Sequence, residues 1–127
     1  MIINDQKTLR EIQRAFNQLF NALKIEFFTG RHEAGQGSPM ATRLDGEQPI
    51  GLVRTTHTEG DFRIHENMTV REFEQAFYDT YGLNVQVFRR SGNIWIQTTA
   101  TDSWTLAEQN RKGSSSERFF NEKHNSL

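Results

Sequence analysis

Two stretches of this chain carry the same local instruction: open a helix, close it, and run directly into a strand. They are residues 69–90, TVREFEQAFYDTYGLNVQVFRR, and residues 8–28, TLREIQRAFNQLFNALKIEFF. Each begins with a threonine followed three positions later by a glutamate, Thr8 with Glu11 and Thr69 with Glu72. In such a capping box the hydroxyl accepts from the glutamate's backbone N–H, and the carboxylate accepts from the threonine's own N–H. Leu9, Ile12, Phe16, Leu19 and Phe20 then recur at helical spacing, as do Val70, Phe73, Phe77 and Tyr81. Each set makes one apolar face. Met68 and Phe73 stand where a hydrophobic staple would close over the second helix start. Gly82 suits a left-handed helix end, and Asn21 is expected to serve the same purpose in the first stretch. Beyond them Leu23, Ile25 and Phe27 alternate with Lys24 and Glu26, and Leu83, Val85 and Val87 alternate likewise. That period of two marks half-buried strands.

A shift of 61 positions superposes Thr8, Arg10, Glu11, Ala15 and Phe16 on Thr69, Arg71, Glu72, Ala76 and Phe77. The pattern reads as an α+β protein of two tandem βαββ-like repeats, about 1–60 and 61–111, sharing one core with the helices on one face of the sheet. A ferredoxin-like βαββαβ order and a β-grasp-like order use the same elements. Ile2-Ile3 and residues 61–64 read as short leading strands. Ser91-Gly92-Asn93 marks a hairpin turn, followed by a strand over 94–99 with Ile94 and Ile96 on one face and Trp95 on the other. Residues 49–53 read as either a strand or a single helical turn, and Pro49 at the first helical position favours the turn; a short strand is expected within 40–44. Thr105 and Glu108 form a third capping box, opening a short helix that runs to about Asn110. Residues 112–127, with Phe119-Phe120 as their one apolar feature, read as a flexible tail.

At 127 residues the chain fits one domain, 1–111, with that tail attached. Its 15 basic and 16 acidic residues leave a net charge of −1. General attraction to nucleic acid or an anionic membrane is therefore not expected, and only a local basic patch could supply it. Ten phenylalanines and two tryptophans argue for an aromatic core rather than a disordered chain. There is no cysteine, so thiolate metal sites are excluded, and a cytoplasmic location is expected. The first ten residues contain no apolar run of the kind a signal peptide needs.

No motif for chemistry converges. His32, His57, His65 and His124 share no metal-binding spacing, although His57 with Glu59, or His65 with Glu66, could approach one another. The segment GRHEAGQGS at 30–38 follows a strand, yet lacks the lysine and hydroxyl that end a phosphate loop. No catalytic residue, cofactor or metal is assigned. Instead the two stretches differ where the second turns tightly and the first spends 29–48 on its connection. Extra loop length is a place for binding. Arg31, His32, Arg43, Arg89, Arg90 and Trp95 form the candidate interaction surface. A non-enzymatic protein-interaction module is the leading expectation, with an unknown protein partner or a second copy of the chain. Nucleic-acid binding through the basic patch is the alternative, and a small anion-binding protein or enzyme using the 29–48 loop is the third.

The order from Thr69 to Asn110 (helix, glycine exit, strand, hairpin, strand, Asp-x-x-Thr-Leu turn) resembles the middle of a ubiquitin-like β-grasp domain over about a third of the chain. That resemblance implies a binding scaffold. With KIEFF, MTVREFEQAF, GLNVQVFRRSGN and TTATDSWTL, the chain as a whole resembles a group of small bacterial proteins with no assigned function. This second resemblance implies no catalytic residues.

Overall fold

The computed structural model describes residues 1–30 and 42–125, with the backbone alone at 124 and 125. Both capping boxes form. Glu11 N–H donates to Thr8 Oγ1 at 3.2 Å and Thr8 N–H to Glu11 Oε1 at 3.3 Å. The corresponding bonds between Glu72 and Thr69 are both 3.1 Å. They open α1 over Leu9–Leu19 and α2 over Val70–Tyr81. Gly82 closes α2 in the left-handed conformation, at φ 64°. Asn21 does not repeat this, because α1 ends on Phe20 at φ −136° and no residue other than glycine has positive φ among those described. The Asn17 side chain instead donates to Asn21 O and to Leu23 O, at 3.3 and 2.8 Å. The chain thereby turns into β2 without the left-handed residue.

Strands β2 (Leu23–Phe28), β4 (Asn84–Ser91) and β5 (Ile94–Gln97) form an antiparallel sheet in the order β2-β4-β5. Ile25 lies opposite Val87, and Arg90 opposite Trp95. The hairpin turns at Gly92, whose φ of 63° is what a two-residue turn with glycine first requires. Two further strands, β1 (Ile2–Ile3) and β3 (Gly60–Asp61), pair only with each other among the described residues. The strand expected over 61–64 therefore begins at Gly60 and ends at Asp61. The ferredoxin-like and β-grasp-like alternatives do not describe these pairings, since β1 stays out of the three-stranded sheet. Pro49 precedes the helical turn at Ile50–Leu52, with ψ 140°, and is not its first residue. Of the strand expected at 40–44, the described part makes a single bridge, Arg43 opposite Phe28.

One face of the sheet meets the helices. Leu23, Ile25, Phe27, Val85 and Val87 join Phe16, Phe73 and Phe77 in a single buried cluster. Phe77 sits at its centre, with ring centroids 4.8 to 6.2 Å from Tyr81, Phe62, Phe27 and Phe73. The fold is α+β, with helices packed on an antiparallel sheet. Where β5 leaves β4, the buried Glu74 of α2 takes over the ladder, accepting from Val87 N–H at 2.8 Å.

The two halves also repeat a set of backbone bonds around each helix start. Leu9 N–H donates to Gln48 O and Val70 N–H to Trp104 O, at 2.9 and 3.0 Å. Arg10 N–H donates to Gly46 O and Arg71 N–H to Asp102 O, at 2.9 and 2.8 Å. In return Ile50 N–H reaches Lys7 O and Leu106 N–H reaches Met68 O, at 2.7 and 2.9 Å. Each returning segment thus satisfies donors that a helix start leaves open.

The end of the chain differs from the sequence expectation. The third capping box forms, with Glu108 N–H donating to Thr105 Oγ1 at 3.1 Å. The helix it opens, α3, spans Leu106–Asn125 rather than ending near Asn110. Residues 112–125 are therefore helical and not a flexible tail. Poor helix formers continue here because tertiary contacts outweigh propensity. Ala22 N–H donates to Asn110 Oδ1 and Gly92 N–H to Ser116 Oγ, at 2.9 and 2.8 Å. Gly113 lets the helix backbone approach Ala22 closely. Phe120 packs against Gly92, while Phe119 is 68% exposed.

Candidate interaction surface

Strand alternation sends neighbouring side chains to opposite faces, and it separates Arg89 from Arg90. Arg89 turns to the helix face. Its Nη1 donates to Gln109 Oε1 at 2.8 Å, and its Cζ lies 5.7 Å from the Trp104 ring centroid. Burial pushes this guanidinium below its usual pKa. Its Nε is buried with no acceptor among the described residues. Arg89 thus sits beneath α3, away from the surface that the sequence pattern assigned to it.

Arg90 and Trp95 lie on the other face and do come together, with the Arg90 Cζ 4.9 Å from the Trp95 ring centroid. Lys24 joins them from β2, its Nζ 5.2 Å from Trp95 and 5.4 Å from Phe88. Arg90 is held by Glu117, at 3.3 Å, and by the Asn93 carbonyl, at 3.3 Å. Lys24 is 3.4 Å from Glu26.

Beside this cluster a groove follows the outer edge of β2. Arg10, Gln13, Arg14 and Asn17 recur at i, i+3, i+4 and i+7 along α1, which puts them on one helix face. With Lys24, Glu26 and Trp95 they line a hollow of about 370 Å³. A second hollow of about 500 Å³ shares Arg10, Gln13 and Glu26 and adds Arg43, Asp45 and Gly46. The β2 edge is closed here by Leu44 N–H donating to Phe27 O at 2.7 Å and Thr29 N–H to Thr42 O at 2.9 Å. The described end of the long connection therefore forms one wall of the groove. Charges alternate along it: Arg10 pairs with Glu47, and Gln13 donates to Glu26 at 2.9 Å. Among the described residues, no hydrogen bond or ion pair reaches the guanidinium of Arg14 or Arg43. Arg31 and His32 lie outside the described residues.

A separate polar cluster escaped the sequence pattern. Arg54, its side chain fully buried, donates to Asp5 Oδ1 from Nη2 and Nε, at 2.6 and 2.9 Å, and to Thr58 O at 2.8 Å. His57 Nδ1 approaches the same carboxylate oxygen at 2.8 Å. Asp5 and Arg54 are far apart in sequence, so no spacing links them. His57 meets Asp5, and no group of three His, Asp or Glu side chains among the described residues could hold a metal ion. The hydrogen bonds from His57 and Arg54 hold the Asp5 carboxyl below its ordinary value. Because the folded pKa is depressed, the ionised form favours folding. That contribution is present above an ordinary carboxylate pKa of about 4 and is lost as the pH falls through the folded value. Asp5→Asn should therefore lower the melting temperature at pH 7, with the gap to wild type closing as the pH falls below an ordinary carboxylate pKa of about 4. A gap that stays constant across thermal melts from pH 7 to pH 2 would contradict this linkage.

An α+β protein with a mixed-charge, aromatic-edged groove is the class that fold and surface define. No family model, curated protein or solved structure matches the chain. No helix among the described residues is long and apolar enough to cross a membrane.

Proposed function

We propose that this chain is a non-enzymatic interaction module, built on a duplicated helix–strand scaffold and acting in the cytoplasm. It holds an acidic segment of a protein partner in the groove between α1 and β2. The observation that carries this reading is the pair of guanidinium groups at Arg14 and Arg43, one in each hollow, without an ion-pair partner among the described residues. Carboxylates in a bound segment would complete both pairs, giving charge complementarity and register. Glu26 lines both hollows, Asp45 lines the one that holds Arg43, and Glu47 pairs with Arg10. A segment with spaced acidic residues fits that alternation, whereas a continuous phosphate backbone meets like charge.

Trp95 supports the same choice. Two cations already lie over its ring, and a stacked base would have to displace them. Selection of displayed random peptides against the chain tests the reading. Enrichment of acidic sequences, lost with Arg14→Glu plus Arg43→Glu, is the expected result. Peptides with no acidic bias, or enrichment untouched by the double change, would rule the groove out. Tight binding of a single-stranded oligonucleotide at low salt, abolished by Lys24→Ala plus Arg90→Ala, would replace the protein partner with nucleic acid.

A further inference from the structure

Arg10, Gln13 and Glu26 line both hollows of the groove, whereas Arg14 lines one of the two and Arg43 the other. A segment reaching both guanidinium groups therefore crosses these three shared residues. Arg10 is taken by Glu47, and Gln13 donates to Glu26. What the crossing offers a ligand is the Glu26 carboxylate.

That carboxylate is short of donors. Its side chain is 14% exposed, and an ionised group so far out of water depends on bonds from the protein or from a ligand. A carboxylate has about four acceptor sites. Gln13 Nε2 fills one, at 2.9 Å. Lys24 Nζ lies 3.4 Å away, beyond the ordinary range of about 2.7–3.2 Å for an N–H···O bond. The same ammonium also lies over the Trp95 and Phe88 rings. Gln86, directly opposite on β4, spends its Nε2 on Val87 O. Among the described residues, no other donor reaches Glu26.

We infer that the bound segment carries a lysine or arginine between its two acidic residues, and that Glu26 receives this cation. The inference rests on recognition of an acidic segment by the groove, and it adds a charge order to that segment: acidic, basic, acidic. An acidic residue at the middle position would face a carboxylate largely out of water, where like charges repel more strongly than at an open surface. An apolar residue there would cover the carboxylate and remove the water that still reaches it. Glu26 thus selects by what it rejects as well as by what it binds, and an unbroken acidic run is excluded.

The probes are displayed peptides selected on the wild-type chain for acidic residues, then randomised again at the positions between those residues. Selection on wild type should enrich lysine or arginine at an intervening position, and selection on Glu26→Gln should not. The amide keeps the shape of the side chain, so the circular dichroism spectrum and melting temperature should stay those of wild type. In fluorescence anisotropy, alanine in place of the peptide's basic residue should weaken binding to wild type about tenfold and leave binding to Glu26→Gln unchanged. Glutamate at the same peptide position should weaken it further, a comparison made on the wild-type chain alone. Acidic peptides that depend on Arg14 and Arg43 but show no basic preference would overturn this inference and leave recognition of an acidic segment standing. A basic preference that persists on Glu26→Gln would also overturn it. Peptides with no acidic bias would overturn both.

Discussion

Replacing Phe77 with alanine should cost about 3–5 kcal/mol, the largest loss expected of any single truncation in this chain. The side chain is fully buried and lies between both halves of the molecule. Its ring meets Phe27 of β2 at 5.6 Å and Phe62 of the leading segment at 5.4 Å, besides its own helix neighbours Phe73 and Tyr81. Deletion removes transfer energy and leaves a cavity among stiff rings that cannot close over it. Urea denaturation gives the cost directly. Phe119→Ala, at an exposed ring, should stay within about 0.5 kcal/mol of wild type. A Phe77→Ala loss below about 1 kcal/mol would mean that the two halves do not share this core.

Gly113→Ala opposes two effects of known sign. In a free helix, alanine is favoured over glycine by about 1 kcal/mol. Here a Cβ on Gly113 would stand 2.9 Å from Ala22 Cβ, 3.0 Å from Ala22 O and 3.0 Å from Arg89 Cγ. Two of those atoms belong to a buried turn that cannot give way cheaply. Packing should prevail, so that Gly113→Ala destabilises and Gly113→Val costs about 1–3 kcal/mol. Exchange of the amides at 114–123 should accelerate in Gly113→Val before the sheet opens. If Gly113→Ala raises stability instead, α3 is not seated on Ala22.

What could be read from the sequence was what is local. Thr8-x-x-Glu11 and Thr69-x-x-Glu72 fix helix starts by bonds between residues three apart, and Gly82 and Gly92 fix turns by their own backbone freedom. Alternation along 23–28 and 84–88 assigns the core face without knowledge of the partner strand. α3 was not legible in this way. Gly113, Ser114, Ser115 and Ser116 disfavour a helix locally, and what holds them helical is Ala22 and Gly92, distant in sequence. Asn21 could have taken a left-handed cap, but Asn17 bonding across the turn made it unnecessary.

The surface divides along the same line. Arg90 with Trp95 follows from a two-residue hairpin, and the separation of Arg89 from Arg90 follows from alternation. Lys24 reaches Trp95 only because β2 pairs with β4 in a register that no single strand specifies. Arg10 and Arg14 look like any solvated helix face until α1 is laid along the β2 edge. The buried Arg54 joins Asp5 through the tertiary fold alone.

The groove's part in recognition is tested most directly by exchanging charges across it. A peptide selected for its acidic residues should bind the wild-type chain and lose at least about tenfold in affinity, or ~1.4 kcal/mol, against Arg14→Glu plus Arg43→Glu. The same peptide with lysine in place of those acidic residues should bind the double variant better than it binds wild type. Fluorescence anisotropy with both peptides and both proteins completes the cycle. Recovery in the exchanged pair is the expected result. Equal affinities in all four combinations, or losses that simply add with no recovery, would contradict contact between the peptide and this groove.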